Sequence, residues 1–68
     1  MPHQRRIVVR LLTPGQVIKS ARSASGRAVV RGITEPVPGV RRLLLHDPET
    51  GDRLGSLAYP VTGTVIAG

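Results

Sequence analysis

The stretch Val40 to Gly63, VRRLLLHDPETGDRLGSLAYPVTG, constrains the fold more than any other part of this chain. Side chains alternate along an extended strand, so Leu43 and Leu45 point one way while Arg42, Leu44 and His46 point the other. The loop PETGD (residues 48–52) follows, and Gly51 is suited to the positive φ of a type I turn with a bulge. Arg53 to Tyr59 then returns, with Leu54 placed to meet the leucine face. Pro60 to Gly63 reads as another turn and Thr64 to Ala67 as a last short strand. The segment predicts a β-hairpin with one apolar face, and everything else in the chain must accommodate it.

The preceding sequence is also strand-like. Residues 1–6 (MPHQRR) read as a mobile basic leader. Ile7 to Leu12, IVVRLL, is rich in β-branched residues and ends at the turn Thr13-Pro14-Gly15. Residues 16–19 (QVIK) suit a short strand, and Ser20 to Gly26, SARSASG, reads as a flexible linker. Arg27 to Ile33 is a strand with neither face cleanly apolar. Glu35 to Gly39, EPVPG, holds two prolines; proline lacks the donor a central strand needs, which places it at an edge or in a connection. Proline and glycine together supply fourteen of the 68 residues and punctuate the chain at regular intervals. Nothing argues for a helix longer than one turn, and the spacing is that of a small sandwich or barrel.

The core available to this chain is thin. It has no Phe, Trp or Cys, and Tyr59 is its single aromatic residue. Disulfides and thiolate zinc sites, the usual supports of small domains, are therefore excluded. A chain of this length buries only about 60% of its unfolded surface, so burial against a partner or a symmetry mate is expected. No apolar run approaches the roughly 18 residues a membrane span needs, and Arg10 interrupts the one run that resembles a signal-peptide core. An intracellular chain is the expectation.

The net charge of +6 is unevenly placed. Arg5, Arg6, Arg10, Lys19, Arg22, Arg27 and Arg31 all precede the first acid, Glu35. These seven are the candidate partner-binding residues, suited to a polyanion or an acidic protein surface. Nine of the ten cations are arginine, which favours bidentate carboxylate or phosphate contacts. Of the adjacent pair Arg41 and Arg42, one must lie near the core margin, where an interface carboxylate or Asp47 and Asp52 across the hairpin would serve as partner.

Catalytic and metal constellations do not emerge. His46 beside Asp47 falls on the face opposite the leucines, as expected of a surface or interface histidine. Asp47, Glu49 and Asp52 surround one turn but lack the ligand run of a calcium loop; Asp47 is better read as capping that turn, with Thr50 and Gly51 completing it. No catalytic residue, cofactor or metal ligand is assigned. The basic half also lacks aromatic platforms for stacking single-stranded bases.

From Gly32 to Gly63 the chain resembles the first half of the carboxypeptidase-regulatory-like, Ig-like β-sandwich repeats of phage virion and bacterial surface proteins. The residues carrying the resemblance are Val30-Arg31-Gly32, Pro36-Val37, Arg41 to Asp47, Thr50-Gly51, Leu54-Gly55-Ser56 and Thr62-Gly63-Thr64-Val65. It departs from the pattern at Val65 and Ile66, where the repeats usually carry Tyr or Phe. A full repeat would supply further strands, so either residues 7–12 or a neighbouring subunit is expected to complete the sheet. The resemblance implies an all-β fold, a small, partly incomplete Ig-like β-sandwich of about five short strands with an extended basic N-terminal arm. Residues 1–26 would be arm and linker, and residues 27–68 the sandwich-like domain. It also implies a non-enzymatic bacteriophage or prophage virion protein, a capsid decoration or tail accessory subunit. Such a subunit would dock on other virion proteins through β-edges and the basic arm, as a homo- or hetero-oligomer without membrane contact. The alternative is a small basic β-barrel that contacts the phosphate backbone of nucleic acid.

Overall fold

The computed structural model describes residues 4–68. The reading of a mobile leader falls partly on residues 1–3, including His3, which lie outside the described residues. Six strands and one 3-10 turn follow in order: β1 (Arg6–Val8), the 3-10 turn (Val9–Leu11), β2 (Val17–Lys19), β3 (Arg27–Val37), β4 (Val40–His46), β5 (Arg53–Pro60) and β6 (Thr64–Ile66). The protein is all-β and antiparallel, with a four-stranded sheet β2-β3-β4-β5 and a two-stranded sheet β1-β6. Ile18 of β2 bridges Ala67, and the Gly68 amide donates to the Val17 carbonyl at 3.0 Å. The end of β6 thereby reaches the free side of β2 and ties the two sheets together.

The hairpin forms as its alternation predicts. Leu43 lies opposite Leu57 and Leu45 opposite Gly55, and both leucines are completely buried while Leu44 and His46 are half-buried on the outer face. Between Leu45 and His46 the register shifts, so Leu54 falls inside the irregularity and packs against the core rather than pairing within the ladder. Gly51 has φ 79°, a left-handed conformation that costs a side-chain-bearing residue and leaves glycine unstrained.

Strand β3 explains why its two faces looked mixed. Its ladder to β4 skips a residue between Val30 and Gly32 and again between Thr34 and Val37. A bulge changes which residues face inward, so Ala28, Val30 and Ile33 all meet the core despite their uneven spacing. Pro36 sits in the second irregularity, where β3 runs beyond β2 and no neighbour needs its missing N–H. The edge reading of EPVPG is the one the fold adopts, and β3 extends through it. Pro38 and Gly39, the latter at φ 83°, turn the chain into β4.

The largest difference from expectation lies before residue 27. IVVRLL is a strand only as far as Val8; the chain then winds through a 3-10 turn in which the Leu12 amide donates to the Val9 carbonyl at 3.1 Å. With three residues per turn, positions three apart share a face. Val9 and Leu12 therefore both enter the core, and Leu11 is left 63% exposed. β1 pairs with β6 as Arg6↔Ile66, Ile7↔Val65 and Val8↔Thr64. The strand that completes the small sheet thus comes from this chain, and the segment expected to be an arm is part of the body. Val9, Leu12 and Ile18 contribute to the same core as Ala28, Val30, Leu43, Leu45 and Val65. Each fully buried aliphatic side chain stabilises by about 1.5–3 kcal/mol. Losing residues 5–19 would remove three of the eight buried apolar residues of the core.

Candidate partner-binding surface

The loop after β4 is organised by one carboxylate. Asp47 Oδ1 accepts from the Glu49 amide at 2.8 Å and from the Thr50 amide at 3.2 Å, the capping role expected of it. Thr50 Oγ1 in turn accepts from the Asp52 amide at 3.2 Å. The other oxygen, Oδ2, accepts from Ser23 Oγ at 2.5 Å, and Ser23 Oγ also lies 2.8 Å from Ser25 Oγ. Ser23 and Asp47 are buried, so the serine-rich segment read as a flexible linker is pinned against the hairpin loop. The Ser23 hydroxyl, then the Glu49 amide, hold the Asp47 carboxyl below its ordinary value of 3.8. Burial opposes this, while the Thr50 amide and the nearby charge of Arg27 reinforce it.

His46 does not meet that carboxylate. Consecutive strand residues face opposite ways, and the His46 ring reaches the Gly51 carbonyl instead, with Nδ1 at 3.0 Å. A protonated Nδ1 donates there and braces the loop. Among the described residues, no group of three or more His, Cys, Asp or Glu side chains gathers as a metal site.

The seven candidate cations are spread over several elements. Arg5 and Arg6 lie at β1, Arg10 in the 3-10 turn, Lys19 on β2, Arg22 in the following loop, and Arg27 and Arg31 on β3. Strand pairing sets Lys19 directly opposite Arg27, a like-charge juxtaposition eased by Glu49, whose Oε1 lies 3.5 Å from Arg27 Nη2. Arg22 Nη1 donates to the Leu54 carbonyl at 3.3 Å. Arg41 is the member of the arginine pair at the core margin, opposite Tyr59. Its partner is Glu35, Nε to Oε1 at 3.3 Å. That corrects the expectation of Asp47 or Asp52, since Asp47 is engaged by Ser23 and the loop amides.

Among the described residues, only Arg27 and Arg41 reach a carboxylate. Arg5, Arg6, Arg10, Lys19, Arg22 and Arg31 are exposed and unpaired by acid, and so are Arg42 and Arg53. The last two lie outside the basic half and were missed by dividing charge along the sequence. On the outer face of the large sheet, Arg42 stands between Thr34 and Ala58, and Arg53 lies opposite His46. The same face carries Val29, Leu44, Val40 and the 54% exposed Val37. No family model matches this chain, and no curated protein matches it.

Proposed function

We propose that this protein is a non-enzymatic structural subunit of a bacteriophage or prophage virion, a capsid decoration or tail accessory protein, built on an Ig-like sandwich motif. It docks on acidic surfaces of a larger capsid or tail assembly. The observation that carries this reading is the surplus of exposed, acid-free cations, of which Arg42 and Arg53 stand on the outer sheet face beside its aliphatic patch, together with the sequence resemblance to virion repeats. Burying the aliphatic patch of Val29, Val37, Val40 and Leu44 supplies affinity, and Arg42 and Arg53 on the same face select a carboxylate-rich counterpart.

The test is to purify particles from source cells on a density gradient and identify their proteins by mass spectrometry. The chain should band with capsid and tail proteins at a fixed ratio. Its presence in the lysate but not in the particles would remove the proposal. The second reading, contact with nucleic-acid phosphates, draws on the same cations. A binding constant for duplex DNA that falls steeply with salt would favour it.

A further inference from the structure

Among the described residues several stretches of strand edge lie open, and those of β1 and of β3 beyond β2 carry devices that discourage pairing. The outer side of β1 is three residues long, begins at Arg6 and follows Arg5. The side of β3 beyond β2 is broken by two bulges and contains Arg31, Glu35 and Pro36. Short length, bulges, charges and proline are the means by which sheet edges are kept from pairing with other chains. β5 carries one irregularity, at Leu54 and Gly55, the latter at φ 103°, and none of these devices from Ser56 to Tyr59. Outside its ladder to β4, no backbone group of residues 53–59 has a backbone partner among the described residues. Arg53 begins the strand, Pro60 ends it, and the Arg22 guanidinium covers the Leu54 carbonyl. Gly55 to Tyr59 is left as an uncharged open window, within the longest run of the sequence free of charged residues, Leu54 to Gly68.

We infer that the β5 edge, Gly55 to Tyr59, pairs antiparallel with the same edge of a second copy of this chain, about a two-fold axis at Leu57. The window is self-complementary about that residue. Directly opposed residues in an antiparallel pair share a face, and the two-fold sets Ser56 opposite Ala58 and Gly55 opposite Tyr59. Ser56 and Ala58 are both exposed, whereas Gly55, Leu57 and Tyr59 are all half-buried on the inner face. Each Tyr59 lies beside the other copy's Gly55, over which the Arg22 guanidinium stands, with Nη1 3.3 Å from where a Cβ would be. No charge opposes a like charge in this register, although each chain carries +6. The two four-stranded sheets merge into one of eight strands, and both outer faces remain open. The inference does not depend on the virion reading: a dimer that ignores particles removes that reading alone.

Sedimentation equilibrium of the purified chain tests the pairing. A concentration-dependent monomer–dimer equilibrium is expected, and it should strengthen with added salt as the net charge of the two copies is screened. The Ser56→Lys/Ala58→Lys chain opposes two like-charged pairs and should dimerise about tenfold more weakly or worse. Ser56→Lys/Ala58→Glu opposes unlike charges at the same positions and should retain the dimer. Hydrogen exchange on the parent chain gives a readout independent of any variant, because outward amides of residues 55–59 should gain protection as concentration rises. A monomer at every concentration and salt, equal dimerisation of the two double variants, or concentration-independent protection would each overturn the pairing.

Discussion

The carboxylate of Asp47 joins two loops that are distant in sequence, one oxygen holding the turn amides and the other the Ser23 hydroxyl. Its folded pKa lies below the unfolded value, so over that interval the unfolded chain binds more protons than the native one. The stabilisation is complete above about pH 4 and is lost as pH falls through the depressed native value. Urea midpoints measured from about pH 5 down to about pH 2 should therefore decline less in Asp47→Asn than in the parent. Ser23→Ala should recover part of that flattening, because its hydroxyl is the largest cause of the shift. Equal pH slopes in all three chains would show that the bond does not operate in solution. Two glycines offer a sharper stability contrast. Gly51→Ala places a side chain at φ 79° and should cost about 1–2 kcal/mol. In Gly32→Ala the new methyl would meet Leu44 at an ordinary 3.8 Å without positive φ, and its urea midpoint should shift by no more than about 0.5 kcal/mol equivalent.

Among the elements, the β4–β5 hairpin and the N-terminal segment depend on each other. Leu43 is fully buried between Ile33 and Leu57, so Leu43→Ala should destabilise by about 2–5 kcal/mol, read from denaturant unfolding. Removing residues 1–12 takes away β1, Val9 and Leu12 and leaves β6 without its partner. The truncated chain should lose cooperative thermal unfolding by circular dichroism; a truncated chain that unfolds like the parent would restore the arm reading. The hairpin was legible because its alternation is unbroken from Arg42 to His46 and its turn uses Asp, Thr and Gly in their usual places. β3 was legible as a strand over residues 27–33 but its inward face was not, because a bulge at Arg31 changes the inward phase halfway along, and a bulge leaves no mark on composition. The 3-10 turn hid for a similar reason, since IVVRLL fits alternation and a three-residue period about equally well. Ser23 was invisible as an anchor because a serine among serines reads as solvent-loving until its partner, 24 residues away, is brought beside it. The cations themselves were legible from charge alone, whereas the Arg27–Glu49 and Arg41–Glu35 pairings depend on strand registry.

At the scale of the whole molecule, charge and hydrophobic surface respond to salt in opposite directions, and this separates the two functional readings from self-association. Each phosphate neutralised on a duplex contributes about −0.9 to the slope of log binding constant against log salt. If all seven cations from Arg5 to Arg31 met one duplex together, the slope would be about −6. The fold distributes them over β1, the 3-10 turn, β2, its loop and β3, and gives Arg27 a carboxylate of its own. A straight polyanion touches few of these elements at once, so binding to a short DNA duplex should show a slope of about −3 or shallower. Fluorescence anisotropy with labelled duplex across a salt series measures it. A slope near −6 would mean that the cations act as one surface and would turn the assignment toward nucleic acid. Because pairing of two like-charged copies strengthens as salt rises, the same series followed by sedimentation should show association growing while any duplex binding fades.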